Sequence, residues 1–155
     1  MATVCDHTSV GMLVRKDDML LLIERARFPF GFSIPAGHVD DDASFEKAAM
    51  RELQEEVGLD ATGLTLVAEG RKENVCRRAD GTWHYWKLYA VHAEGEMKGS
   101  IEETKQAGWY SKAEIGRLAQ KTVAYQNGEV TEDEWKQYPG IVPVMYEWFV
   151  TLKII

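Results

Sequence analysis

The sequence predicts an α+β fold, a mixed sheet layered against helices. Short apolar segments near the start and in the middle of the chain have the length and flanking turns of strands. Between them, a segment from residue 44 repeats its apolar residues every four positions, as a helix does. The strands come in pairs around turn sequences instead of alternating singly with helices, which favours hairpins over a doubly wound parallel sheet.

"TSVGMLV" (8–14) and "MLLLIER" (19–25) read as two strands joined by the polar turn "RKDD" (15–18), a hairpin. "ARFPFGFSIPAG" (26–37) carries two prolines and two glycines, so it is expected to be a loop bearing aromatic residues. Residues 44–57 are the clearest helix. Ser44 or Asp42 can cap it, Asp41 and Asp42 suit the positive end of its dipole, and Gly58 can end it. Phe45, Ala49, Leu53 and Val57 form its buried stripe. "LTLVAEGRKENVCRR" and "TWHYWKLYAVHAE" are β-rich and flank "ADG" (79–81), a second hairpin signal. "GWYS" (108–111) is expected to end an irregular segment, with Ser111 capping a helix to about Leu118. A last helix is expected after Pro143, with Val144, Trp148 and Leu152 on one face.

A chain of 155 residues suits one domain, here 1–155. Hydrophobic residues make up 45% and charged residues 28%, enough apolar material for a core. The net charge of −7 argues against a nucleic acid polymer as partner. An acidic protein meets an acidic small molecule through a cation between them. Cys5 and Cys76 show no CxxC spacing, so neither a disulfide framework nor a zinc site is expected, and a reducing, cytoplasmic setting is. The N-terminus does not read as a signal peptide, and no apolar run reaches the roughly 18 residues of a membrane span.

The chemistry gathers in "PAGHVDDDASFEKAAMRELQEEVGL" (35–59). Glu52, Glu55 and Glu56 are spaced i, i+3, i+4 and share a helix face bordering the apolar stripe. Like charges at this spacing repel, which Arg51, four residues before Glu55, can relieve. So can a hard divalent ion such as Mg²⁺, with Mn²⁺ as a second choice. "RELQEE" by itself reads equally as a solvated acidic face. "PAG" adds a tight turn, and Gly37 lets the backbone approach a ligand or the helix.

The stretch resembles the Nudix box, G-x5-E-x7-R-E-U-x-E-E-x-G-U, where U is a bulky aliphatic residue. Gly37, Arg51, Glu52, Leu53, Glu55, Glu56, Gly58 and Leu59 stand in register over 23 residues. The flanking "LLLIER", "GFSIPAG" and "GWYS" are similar to the family as well, so the resemblance runs from about Thr8 to Leu118. One position departs. The first signature glutamate is replaced by Ala43 here, and Asp42 or Glu46 stands near enough to substitute for it in part.

The resemblance implies an α/β/α sandwich and hydrolysis of a nucleoside diphosphate linked to another group. It implies Glu52, Glu55 and Glu56 as metal ligands, with a backbone carbonyl from Gly37 or Ala36. It implies Arg51 as the residue orienting Glu55, and Arg25 near the phosphates. The general base of such enzymes is a box glutamate or a later one; Glu102 and Glu103 are available, and Glu103 is preferred. Phe28, Phe30 and Phe32 around the loop, and Trp83, Tyr85, Trp86 and Tyr89 in one strand, supply candidates to stack on a base, with Phe32, Trp83 and Tyr85 preferred and core packing the plainer role for each. The aromatic tail "MYEWFVTLKII" can pack on the domain, form a partner surface or support a homodimer. A nucleotide-binding sensor without turnover is the alternative that Ala43 favours.

Overall fold

The computed structural model describes residues 4–98 and 103–155. In chain order its elements are β1 (Thr8–Lys16), β2 (Met19–Arg25), β3 (Phe32–Ser33), β4 (Ala36–Gly37), α1 (Phe45–Val57), β5 (Asp60–Lys72), β6 (His84–Glu94), β7 (Thr104–Tyr110), α2 (Lys112–Gln126), α3 (Glu132–Gln137) and α4 (Pro143–Thr151).

β1 and β2 form the expected hairpin. Asp17 and Asp18 both take positive φ, 50° and 66°, which matches the twist of a two-residue turn. The two strands pair only at the turn, Arg15 with Leu20 and Lys16 with Met19, and then part. β1 continues parallel to β6, from Thr8 opposite Tyr85 to Val14 opposite Val91. β2 continues antiparallel to β7, from Leu20 opposite Tyr110. β3 extends β2, β4 lies against β1, and β5 runs antiparallel to β6, so the sheet is mixed.

Both faces of the central strands are covered, which explains their unbroken apolar runs. Val10, Met12, Val14, Leu21 and Ile23 point to one side, where Ala49, Leu53 and Val57 of α1 meet them. Leu13, Leu20 and Leu22 point to the other, against Ile115 of α2 and Met145, Trp148 and Phe149 of α4. The result is an α/β/α sandwich. The aromatic tail therefore packs on the sheet: Val144 and Trp148 are buried together as their spacing predicts.

Four expectations need correction. The segment before "GWYS" is strand β7, whose register with β2 slips between Glu24 and Arg25. α2 runs on to Gln126, well past Leu118, after the Ser111–Glu114 capping box sets its start. α3 is an additional helix; its six residues are anchored by Trp135, whose Nε1 donates to Phe30 O at 3.1 Å. The β5–β6 hairpin is present, but its connection spans 73–83 instead of turning at "ADG". Among the described residues, no helix is long and apolar enough to cross a membrane.

Candidate active site

The acidic stretch folds as strand, turn and helix. Ser44 caps α1 by accepting from Lys47 N at 3.1 Å, and Gly58 ends it at φ 74°, where its N–H donates to Gln54 O. The helix is thereby placed with Glu56 aimed inward beside Leu53 and Val57. Glu56 is only 2% exposed, and its Oε1 accepts from Ala36 N at 2.9 Å. The Glu52 carboxylate lies against Gly37, so closely that a Cβ at residue 37 would stand 2.2 Å from its Cδ. Glycine is what allows that approach.

Arg51 organises the rim. Its Nε donates to Asp42 Oδ2 at 2.8 Å, and one terminal nitrogen donates to both Glu52 Oε1 and Glu55 Oε2 at 3.0 Å. The other terminal nitrogen donates to His38 O at 3.1 Å. The helix is thus tied back to the turn that leads into it. The Glu46 carboxylate is engaged elsewhere, accepting from Tyr89 Oη.

Burial pushes the Glu52 carboxyl up to about 7; the Arg51 charge opposes this, and Glu55 and Glu103 add to it. Burial also holds Glu56 well above the usual carboxylate range, and the neighbouring Glu52 charge raises it further. Two inward carboxylates that resist ionisation side by side form a site that favours a cation.

Gly37, Glu52 and Glu56 line an open cleft with Arg25 and Glu103. Arg25 is held there by Nε, which donates to Pro29 O at 2.8 Å. Glu55 and Arg51 stand outside the lining, and the Glu55 side chain is 55% exposed. Glu102 lies outside the described residues. Phe32, Trp83 and Tyr85 do not reach the cleft. Phe32 is buried edge-on against Tyr110, at 5.6 Å between centroids. Trp83 stacks on His7 at 4.0 Å with Arg71 over its ring, and Tyr85 Oη donates to Glu69 at 2.7 Å. The strand pleat decides this: even positions His84 and Trp86 face the cleft, and odd ones face away.

The structure supplies residues that sequence reasoning did not single out. Arg27 and Arg77 add positive charge to the cleft, and Arg78 lines it with its guanidinium paired to Asp40; Phe28, one of the loop aromatics, is 46% exposed and stands at its wall. "RARF" and "CRR" hold the signal, but nothing local shows that 25–28 and 77–78 converge.

A family profile described as NUDIX domain matches residues 6–133. The NAD-capped RNA hydrolase NudC of Pseudomonas aeruginosa is 29% identical over 121 residues, covering 75% of this chain and 40% of that protein. The asymmetrical bis(5'-nucleosyl)-tetraphosphatase of Mus musculus is 33% identical over 88 residues, 56% of this chain and 59% of that one. The chain thus spans less than two thirds of the length of these relatives. Among solved structures, the MutT NUDIX hydrolase from Burkholderia pseudomallei superposes with a TM-score of 0.61 at 26% identity, covering 70% of this chain and 84% of that one. The ORF135 protein of E. coli superposes at 0.60 and 23% identity over 94% of this chain and 89% of its own, a likeness of fold.

Proposed function

The chain belongs to the Nudix family, and from that premise we propose that it hydrolyses the pyrophosphate linkage of a nucleoside diphosphate joined to another group. A nucleoside triphosphate and a nucleotide sugar both fit that description. The observation that carries the reading is the pairing, in one cleft, of inward Glu52 and Glu56 with Arg25, Arg27 and Arg77. The acids suit a cation and the arginines suit phosphates.

The donors fit a hard divalent ion. They are carboxylate oxygens, backed by the backbone at Gly37, where any side chain would displace Glu52. We assign Glu52 and Glu56 as its ligands with the Gly37 carbonyl, and Mg²⁺ or Mn²⁺ as the ion. Such an ion, when bound, neutralises phosphate charge and lowers the pKa of water. Arg51 fixes the Glu52 carboxylate, and Glu55 shares that guanidinium at the rim. Arg25 holds a phosphate oxygen. Water forms a new P–O bond as the bridging P–O bond breaks, and Glu103 takes the proton that water loses. Phe28 offers a face to the base. Residues 1–155 act in this reading as one catalytic domain, on a small-molecule substrate, in a reducing, cytoplasmic setting that keeps both cysteines out of disulfides.

The test is a panel of nucleoside diphosphate derivatives and triphosphates with Mg²⁺ or Mn²⁺, following release of the nucleoside monophosphate, alongside Glu56→Gln. We expect turnover on at least part of the panel and a loss of about a hundredfold or more in the variant, since metal charge stabilisation is worth several kcal/mol. Binding of nucleotides without metal-dependent turnover would favour the sensor reading.

A further inference from the structure

Four side chains with sulfur or imidazole donors converge at the wall of the cleft, which His38, Cys76 and His84 help to line. They are Cys5 ahead of β1, His38 just after β4, Cys76 in the 73–83 connection and His84 at the start of β6. One donor atom from each lies within 4.8 Å of all the others. Cys5 Sγ stands 3.5 Å from His38 Nε2 and 3.3 Å from His84 Nε2. In a tetrahedral zinc site, bonds of about 2.3 Å to sulfur and about 2.05 Å to nitrogen put S and N roughly 3.5 Å apart. A thiol can donate its one proton to only one of these imidazoles and would have to accept an N–H from the other. A shared cation accounts for both contacts.

The surroundings point the same way. His84 Nδ1 lies 3.0 Å from Asn74 O, which can only accept. The ring proton therefore sits on Nδ1, and the Nε2 lone pair is left to face the sulfur. This backbone partner behind an imidazole is the usual support of a metal-bound histidine. The His7 N–H donates to Cys5 Sγ at 3.3 Å, which holds the sulfur in the cluster. Gly81 is needed as well: a Cβ there would stand 2.2 Å from Cys76 Sγ.

We propose that Cys5, His38, Cys76 and His84 form a closed Cys₂His₂ site for Zn²⁺ or a similar borderline-soft divalent ion, separate from the carboxylate site. Two thiolates and one dication leave no net charge in this largely buried cluster. Four protein ligands leave no open position, so the site is structural. It clamps the N-terminal segment and the 73–83 connection onto the peptide that follows Gly37. That connection carries Asn74, Arg77 and Arg78 into the cleft, so the ion would set one wall of the substrate site.

The experiment is Co²⁺ titration of the reduced, full-length chain, read by absorption. We expect about one equivalent to give intense tetrahedral bands in the visible and a thiolate-to-cobalt band in the near ultraviolet, bleached by Zn²⁺. Cys76→Ser should weaken the charge-transfer band. Glu52→Gln should keep the full spectrum, which separates this site from the carboxylates. The wild-type spectrum decides even if Cys76→Ser fails to fold, and His38→Ala, at a half-buried ligand, is the second variant. Cobalt bound without a thiolate band would overturn the proposal. So would an unchanged spectrum in a folded Cys76→Ser protein.

Discussion

Arg51 donates to Asp42 at 2.8 Å, across the turn where Ala43 stands in the place of a signature glutamate. Asp42 thus brings a carboxylate to the guanidinium from the neighbouring position. The arginine keeps three acidic partners, Asp42, Glu52 and Glu55. Asp42→Asn should therefore lower kcat/KM about tenfold, the usual scale for losing a support behind a metal ligand. Ala43→Glu should change it by no more than about fivefold, because its partner is already engaged. Adding Ala43→Glu to Asp42→Asn should recover most of the loss, since the guanidinium regains a carboxylate. Steady-state kinetics at saturating Mg²⁺ would check this, and a many-fold gain from Ala43→Glu alone would show the native site to be weakened.

Gly37→Ala separates folding from function. The new methyl meets the end of a flexible glutamate, not backbone. The Glu52 carboxylate can swing aside, so the melting temperature should change little. A ligand moved by about 1 Å should cost up to a hundredfold in turnover. Thermal melting and kinetics on one preparation would compare the two effects.

Glu52 also makes stability depend on pH when Mg²⁺ and Mn²⁺ are absent. Its folded pKa, about 7, lies above the unfolded value near 4.5. The neutral carboxyl is the form the fold favours, so its contribution is fully present below about pH 4.5 and lost as pH rises through about 7. Between about pH 5 and pH 8 the melting temperature should fall more steeply in wild type than in Glu52→Gln. Added Mg²⁺ should offset the loss at the upper end, because the ion binds the carboxylate. Melting curves across that range, with and without Mg²⁺, would test the sign.

Phe149 is fully buried in α4 against the sheet. Phe149→Ala should destabilise the fold by about 3–5 kcal/mol, the range for a large aromatic lost from a core. A change within error in urea unfolding would mean that α4 is not part of the cooperative unit.

What is legible in the sequence is local. α1, its Ser44 cap, its Gly58 end and its acid face span a few turns, and helix periodicity reads them directly. The division of labour among the glutamates is less clear. Glu55 and Glu56 are consecutive and so about 100° apart on the wheel, one toward solvent and one beside Leu53. β7 is hidden because "TKQAGWY" lacks apolar alternation; its pairing with β2 makes it a strand. The Cys and His cluster is wholly hidden. Its members come from four separate stretches, and only the fold brings them together.

The parallel pairing of β1 with β6 also bears on how the chain is made. Val10 lies opposite Lys87, so β1 leaves the ribosome long before its partner exists. At about 5–20 residues per second, that wait is roughly 4–15 s. During it, the acid helix has emerged but the strand beneath it is unpaired along this edge. The nascent chain then exposes an apolar strand, a natural point for chaperone engagement, and a fragment ending before residue 84 would carry the whole acidic motif without a finished platform to hold it.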